Sequence, residues 1–446
     1  MQDETEVSDS WVPRDERPDG MTAPDGGSSS LQRGVSPSGH GARLLHLLPT
    51  VPQASFLFGA AIDSACPTLS SGRRIDEMDR SGHYARWEGD FARARELGAR
   101  ALRYGPAYYR VHVAPDRFDW DVCDEPMRAL RSLGLTVVAD LCHFGVPSWL
   151  GGFQDPAFPV LFAEYARAFA RRYPWVRHFT PIYEIFTTAS QSALLGRWNE
   201  CLRSEGAFVR ALRNLCMAHE LAVEAILAER RDAIIVHHES LAHFHPAGRE
   251  ADFDARRWNA FKQLALDLTL GLELDPGMST FLHAHGVTSN DLTFFRERRA
   301  TRQRWIGTRY DPRCERRLAS TGRFLTQRRG LGFAALAAGL HKRYGMPLAY
   351  GASYEKPERA ERWLREQWHD LLALRAQGVP VLGFTWHSLV DRTEWRGASI
   401  APSAAPHSIG LLDLARAVRP VGSAFAALAS QRAGTLGVAG RRRESA

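Results

Sequence analysis

Polar side chains that could do chemistry follow short apolar stretches of the chain. Glu184 ends the stretch HFTPIYE, and His143 lies near the end of TVVADLCHF. The other residues at such positions are His237, His238, Glu239, Tyr310, Gly351, Ala352, Ser353, Trp386 and His387. Sugars offer apolar ring faces to aromatic planes and hydroxyls to polar groups, so a carboxylate among imidazole and tryptophan rings favours a carbohydrate site.

The histidine-rich segment HHESLAHFHP (237–246) raises a second possibility, metal binding. Its potential ligands are His237, Glu239, His243 and His245. The spacing is not that of a helical HExxH motif, and histidines at strand ends are commonly hydrogen-bonded structural residues. We therefore expect neither a metal ion nor a cofactor.

Alternating short apolar and longer amphipathic stretches must position these side chains. Apolar stretches of strand length begin at Phe56, Ala101, Thr136, His178, Ala233, Arg304, Pro347 and Val381. Helical patterns follow them, for example over 90–99, 162–173 and 358–378. Eight such units predict a (β/α)₈ barrel. A doubly wound sheet usually carries a Gly-rich loop after its first strand, and FGAAIDSA has none. In a barrel the candidate side chains would converge, because active sites form at the carboxyl ends of the strands.

Three segments resemble family 1 glycoside hydrolases. DLCHFGVPSWL (140–150) and FTPIYEIFTTA (179–189) are similar to the family's H-F-x-x-P-x-W-L and W-x-T-x-N-E-P motifs. GFTWHSLVDRTEW (383–395) is similar to its W-S-L-x-D-x-x-E-W block. The resemblance covers about 55–430 and implies a barrel that acts on β-linked glycosides.

The resemblance also implies roles for individual residues. Glu184 matches the general acid/base of a retaining hydrolase, which works through a covalent glycosyl-enzyme. Tyr310 matches the tyrosine that steadies the nucleophile, and Trp386 matches the platform under the sugar ring. The remaining matches to the sugar pocket are His143, Tyr183 (where the family has asparagine), Glu394 and Trp395.

The nucleophile motif departs most from the family. Where the family has T-E-N-G, this chain reads YGASY, so the glutamate position falls on Ala352, or on Gly351 if the alignment shifts by one. Glu355, just past the strand, is the substitute nucleophile we consider first, with Glu239 and Asp391 as further carboxylates. Four alternatives stay open: a substitute carboxylate, direct activation of water as in inverting enzymes, transfer to an acceptor, or an inactive sugar-binding barrel.

Composition limits the class of protein. The chain has 446 residues, of which 44% are hydrophobic and 24% charged, as in soluble globular proteins. Its start lacks the features of a signal peptide, and its six cysteines form no CxxC pair, so we expect a cytoplasmic protein with reduced thiols that binds no membrane. We expect a disordered extension over 1–50, the barrel over 51–430 and a basic flexible tail over 431–446.

Charge is unevenly distributed along the chain. The net charge is +7, and only three of the 57 basic residues are lysines. The segment 293–330 holds 12 arginines against Glu297, Asp311 and Glu315. This local excess disfavours a nucleic-acid partner, which would need a broad basic surface. It predicts either an anionic aglycone, acceptor or protein partner near strand six, or simply a solvated surface.

Overall fold

A computed structural model describes residues 56–298, 303–326, 330–393 and 406–441. The predicted extension over 1–50 lies outside these residues, as do Glu394 and Trp395. No described helix has the length and apolar character needed to cross a membrane.

Eight parallel strands close into a barrel, as the alternating pattern predicts. They are β1 (Leu57–Ala61), β2 (Ala101–Tyr104), β3 (Thr136–Asp140), β4 (His178–Thr180), β5 (Ile234–Ser240), β6 (Arg304–Tyr310), β7 (Leu348–Ala352) and β8 (Val381–His387). Each strand pairs with its neighbours in chain order, and β8 pairs with β1 to close the sheet. The (β/α)₈ prediction is confirmed.

Helices surround the barrel and cover the outward faces of its strands. They are α1 (Glu77–Arg80), α2 (Trp87–Glu96), α3 (Tyr108–Val111), α4 (Asp121–Ser132), α5 (Phe158–Arg172), α6 (Ile185–Ala189), α7 (Glu205–Glu229), α8 (Asp252–Thr269), α9 (Pro276–Ala284), α10 (Ser289–Glu297), α11 (Gly332–Tyr344), α12 (Pro357–Ala376) and α13 (Pro420–Arg441). Helix α13 runs past residue 430, so the predicted tail begins within a helix.

Short strands decorate the barrel outside this framework. Glu315–Leu318 pairs with His243–Pro246 and with Phe324–Thr326 in a three-stranded sheet. Two antiparallel pairs are the remaining strands among the described residues: His112–Ala114 with Arg117–Phe118, and Arg392–Thr393 with Pro406–His407.

Local sequence explains where several elements begin and end. Ser204 starts α7 by accepting a hydrogen bond from the Ala207 N–H at 3.1 Å. Gly345 ends α11 in the left-handed region at φ 66°, which glycine adopts at little cost. Strand β4 is shorter than the predicted 178–184, because Pro181 has no N–H with which to continue the ladder.

Side chains alternate between the two faces of each strand. At the amino end of the barrel, the interior is filled by Val138, Val236, Trp305 and Leu382. Outward residues pack against helices instead: Phe58 of β1 contacts Phe425 of α13, with ring centroids 4.5 Å apart. Strand β8 has an irregularity where Leu348 pairs with Val381 but Ala349 pairs with Gly383. This bulge decides which residues of β8 face the barrel axis.

Candidate functional site

Glu184 lies just beyond β4, at the end of the barrel where the strands have their carboxyl termini (the mouth). It adopts the left-handed conformation with φ 45° and ψ 68°, immediately before α6. Its backbone N–H bonds the carbonyl of His238 at 2.9 Å, which ties it to β5. The carboxylate accepts a hydrogen bond from Thr187 at 2.9 Å, and the side chain is 1% exposed. The residue is therefore firmly oriented, yet closed off from solvent.

Arg309 of β6 lies between Glu184 and a second carboxylate. Its Nε is 3.5 Å from Oε1 of Glu184, and its Nη1 is 3.5 Å from Oδ2 of Asp311. Burial works against the charge of Arg309, but Glu184, Tyr183 and Asp311 together raise its pKa. The same guanidinium therefore stabilises two buried carboxylates at the mouth.

A chain of ion pairs continues from Asp311 to Glu355. Arg313 contacts both carboxylates, with its Nε 3.1 Å from Oδ1 of Asp311. His407 Nε2 lies 2.9 Å from Glu355. Burial acts to raise the pKa of Glu355, but the His407 hydrogen bond and the Arg313 charge lower it to about 2. Glu355 is thus ionised but held by the Arg313 guanidinium and the His407 imidazole, which reduces its availability as a nucleophile.

His143 belongs to a polar network on the opposite side of the mouth. Its Nδ1 lies 3.0 Å from Oδ2 of Asp140, and its Nε2 lies 3.9 Å from Oδ1 of Asp63. Asp140 also receives a hydrogen bond from Arg103 Nε at 3.0 Å. Burial opposes ionisation of Asp140, but Arg103 and His143 lower its pKa. An ion pair therefore occupies the barrel axis below His143.

Tyr183 fills the space between these two networks. Its ring centroid is 4.1 Å from that of His143 and 4.5 Å from that of His238, and the Arg103 guanidinium lies 4.2 Å from it. Burial, together with the nearby Arg103, keeps the pKa of His238 and of His387 well below the ordinary value. Neutral imidazoles, a phenol ring and a guanidinium thus pack together where the sequence predicts a sugar.

Tyr310 is placed away from the mouth. Its hydroxyl donates to Glu315 at 2.7 Å, and its ring stacks on Trp363 of α12 at 5.8 Å. Residues 309 and 310 point to opposite faces of β6 because successive strand side chains alternate. The structure therefore puts Arg309 at the position near Glu184 where we expected Tyr310.

Trp386 also faces away from the mouth. The residue is fully buried, and its indole N–H donates to the carbonyl of Ile409 at 2.9 Å. It shares the face of β8 that carries Phe384, whose ring packs against Phe58 of β1 and Trp368 of α12. A platform needs an accessible ring face, and Trp386 has none. His387, one residue later, is the β8 side chain that faces the mouth.

Ala352, the expected nucleophile position, is fully buried and packs in the core outside the barrel. Gly351 instead faces the axis: a Cβ there would lie 3.0 Å from ring atoms of His387. The inward position of β7 thus matches the alternative alignment, shifted by one, and it carries no side chain. The His387 ring lies against it.

The other carboxylates and histidines have structural partners. Asp391 pairs with Arg419 and accepts the Gly410 N–H at 2.8 Å, which anchors the segment before α13. Glu239 accepts the Phe186 N–H at 3.4 Å. His237 bonds Thr269 of α8 at 3.1 Å, whereas His245 bonds Glu315 at 2.6 Å. Among the residues that the structure describes, no group of three potential ligands could hold a metal ion.

An open pocket lies beside the mouth, between the segments that follow β4, β5 and β6. It encloses about 760 Å³, counting its solvent-filled opening. Its lining is Phe186, Ser190, Gln191, Leu194, Leu195, Ser240, Ala242, Phe244, Trp258, Phe261, Lys262, Arg313, Cys314 and Arg316. We call it the side pocket. Arg313 and Arg316 belong to the arginine-rich segment 293–330, whereas Arg304 of that segment is buried in a pair with Glu220 at 2.6 Å.

Sequence reasoning did not single out Arg309, Asp311 or Lys262. Arg309 and Asp311 flank Tyr310 at the end of β6, so strict two-residue periodicity could have identified them. Lys262 lies within α8 and so is not at the end of any strand in the sequence. Only its rarity, as one of three lysines, sets it apart in the sequence.

Comparison with known proteins relates the barrel to β-glucosidases. No family model matches the sequence. Beta-glucosidase A of Thermotoga maritima is 26% identical over 185 residues, a segment that covers 40% of this chain and 42% of that enzyme. The matched segment is thus less than half of either protein.

Solved structures match over a much longer span. The family 1 β-glucosidase of Thermotoga maritima superposes with a TM-score of 0.74 at 17% identity, over 85% of this chain and 98% of that one. The same enzyme in complex with castanospermine gives a TM-score of 0.74 at 18% identity, over 86% and 98%. Its complex with azafagomine gives 0.73 at 18% identity, over 86% and 99%. The chain therefore has a family 1-like β-glucosidase barrel as its fold.

Proposed function

We propose that the protein binds a glycoside-like small molecule at the mouth of the barrel and does not hydrolyse it. The observation that carries this proposal is the environment of Gly351. The inward position of β7 has no carboxylate, and the ring atoms of His387 lie 3.0 Å from where its Cβ would be. A retaining glycosidase needs a nucleophilic carboxylate about 5 Å from its acid/base.

The surroundings of Glu184 support the same proposal. The carboxylate is buried and contacts Arg309 at 3.5 Å, rather than opening on the side pocket. His143 and Tyr183 remain near it as polar and aromatic groups suited to a sugar ring. A bound sugar would displace the Tyr183 ring from its place between His143 and His238.

Calorimetry and a turnover assay test the two halves of the proposal. Deoxynojirimycin and 4-nitrophenyl β-D-glucoside are titrated into the wild type and into His143→Ala, with His369→Ala as a control on α12. We expect binding by the wild type and the control, and weaker binding by His143→Ala. Absence of binding to the wild type would refute glycoside recognition.

Turnover is measured with 4-nitrophenyl β-D-glucoside and with methyl β-D-glucoside, whose poorer leaving group requires an acid. We expect the wild type and Glu184→Gln to be equally inactive on both. Hydrolysis by the wild type that is lost in Glu184→Gln would refute the non-hydrolytic half of the proposal.

The second candidate is hydrolysis in a single displacement, with Glu184 as acid and Asp311 as base. One observation favours it: the two carboxylates flank one guanidinium, each 3.5 Å from a different nitrogen of Arg309. Inverting enzymes hold their carboxyls about 6.5–9.5 Å apart to admit a water molecule. Arg309 lies in that gap and would have to move.

The anomeric configuration of the first product identifies this second mechanism. Single displacement of a β-glycoside releases the α-anomer, which proton NMR detects before mutarotation, and Asp311→Asn would abolish it. Release of the β-anomer would instead point to a covalent route with a substitute nucleophile such as Glu355.

A further inference from the structure

The side pocket differs from the mouth in being open and largely apolar. Aromatic rings from three segments line it: Phe186 at the start of α6, Phe244 after β5, and Trp258 with Phe261 on α8. The four rings form one connected cluster: Trp258 lies 5.6 Å from Phe244 and 5.6 Å from Phe261, and Phe261 lies 5.1 Å from Phe186. The figure of about 760 Å³ includes open solvent, so the pocket does not enclose a ligand fully but can receive one end of a flat aromatic molecule.

Every charged side chain that lines the side pocket is a cation. They are Lys262 of α8, and Arg313 and Arg316 from the segment after β6. Arg313 also contacts Asp311 and Glu355, but neither of those carboxylates lines the pocket. Apolar walls with cationic groups only are complementary to a ligand that has an apolar body and a negative charge.

Lys262 is the cation best placed to meet such a charge. Its Nζ lies 3.9 Å from the centroid of Phe186, on the aromatic wall itself. The charged and titratable groups that face it are Glu239 of β5, Glu184 after β4, and Cys314 with Arg316 after β6. Burial lowers the pKa of Lys262 to about 8, while Glu239 and Glu184 act to raise it. The ammonium form therefore predominates at pH 7 and is lost above pH 8.

From this combination of aromatic walls and a cation-only lining, we propose that the side pocket binds a small aromatic anion, such as a carboxylate or sulfonate, whose charge pairs with Lys262. The rings of Trp258 and Phe261 contact the apolar body. Arg316, which is buried and also lines the pocket, supplies the second positive charge. This inference does not rest on glycoside binding, because such a ligand needs no sugar.

Calorimetry with a matched pair of probes tests the charge requirement. Naphthalene-2-carboxylate and the neutral naphthalene-2-carboxamide share one apolar body. We expect the carboxylate to bind the full-length protein at pH 7 at least tenfold more tightly than the amide. Equal affinities, or no binding of either probe, would overturn the proposal.

Substitutions locate the site. Lys262→Met retains the length of the side chain without its charge and should weaken carboxylate binding at least tenfold, with no effect on the amide. The matched control is Lys342→Met on the exposed side of α11, which should bind like the wild type. Unchanged affinity in Lys262→Met would refute the role of this lysine.

Two further measurements keep the proposal testable if Lys262→Met does not fold. Ala242→Phe adds a ring inside the pocket and should abolish carboxylate binding, whereas unchanged binding would place the ligand elsewhere. In the wild type, carboxylate affinity should fall above pH 8, as the ammonium is deprotonated, until it reaches the level without the Lys262 charge. A flat profile between pH 7 and 10 would contradict pairing with Lys262.

Discussion

The mouth and the side pocket lie next to each other but differ in how their polar groups are satisfied. At the mouth, Arg103, Asp140, His143 and Tyr183 contact one another and leave little surface exposed. In the side pocket, cationic and aromatic side chains border open space. The mouth thus resembles a packed core made of polar residues, while the side pocket retains room for a ligand. A ligand at the mouth would therefore have to displace side chains such as Tyr183, whereas the side pocket already borders open space.

The largest expected effect comes from breaking the ion pair at the mouth. Asp140→Asn removes the charge that Arg103 and His143 contact, each at 3.0 Å. Leaving a buried guanidinium without its counter-ion should cost about 3–5 kcal/mol of unfolding free energy. Urea denaturation measures the loss.

The matched control is Glu366→Gln, whose exposed partner is Arg362 on the same face of α12. That substitution should change stability by less than about 0.5 kcal/mol. If Asp140→Asn cost no more than this control, the mouth would not be a packed core.

A smaller effect is expected from filling the inward position of β7. In Gly351→Ala, the new Cβ would lie 3.0 Å from the His387 ring, so His387 must shift. We expect a destabilisation of about 1–3 kcal/mol, typical of overpacking.

The control is Gly339→Ala on the exposed side of α11, where a Cβ meets nothing within 4 Å. A helical glycine replaced by alanine should stabilise by about 0.5–1 kcal/mol. Thermal unfolding measures the stability of both variants. If Gly351→Ala were more stable than the wild type, the mouth would have unfilled space next to Gly351.

Glu355 pairs with Arg313 and His407 where the mouth and the side pocket meet, and its contribution to stability should depend on pH. The pKa of Glu355 is about 2 in the native state, against an ordinary value of 4.5. Since the native pKa is the lower one, the carboxylate stabilises the protein above pH 4.5, and this stabilisation is lost as the pH falls toward 2.

Glu355→Gln should therefore cost about 1–2 kcal/mol at pH 7 and progressively less below pH 4.5. Urea denaturation of the two proteins across this range measures the difference. A difference that stays constant with pH would show that Glu355 contributes through packing rather than charge.

The smallest effect is expected in the wall of the side pocket. Ser190→Ala removes a hydroxyl that bonds only the Phe186 carbonyl, at 2.7 Å, which is a local bond within a helical segment. Stability should change by less than about 1 kcal/mol. A loss comparable to that of Asp140→Asn would mean that the pocket wall is as tightly coupled as the mouth.

Much of the barrel could be predicted from the sequence. All eight strands lie within the predicted apolar stretches, because buried strands and amphipathic helices leave different periodicities in the chain. Glu184 and His143 could be placed near the strand ends for the same reason. The roles of His143, Tyr183 and Glu184 remain predictions, as do those of Glu355 and of Glu394 and Trp395, which lie outside the described residues.

What only the tertiary structure decided is which of two adjacent residues faces the barrel axis. The sequence determined that a tryptophan and a histidine end β8, but the bulge between Val381 and Gly383 turned His387 inward and Trp386 outward. On β6 the residue that faces the axis is likewise Arg309 rather than Tyr310, and on β7 it is Gly351 rather than Ala352. Side chains alternate along a strand, so a shift of one residue exchanges the two faces. A bulge is defined by pairing with a neighbouring strand, and the local sequence does not carry that information.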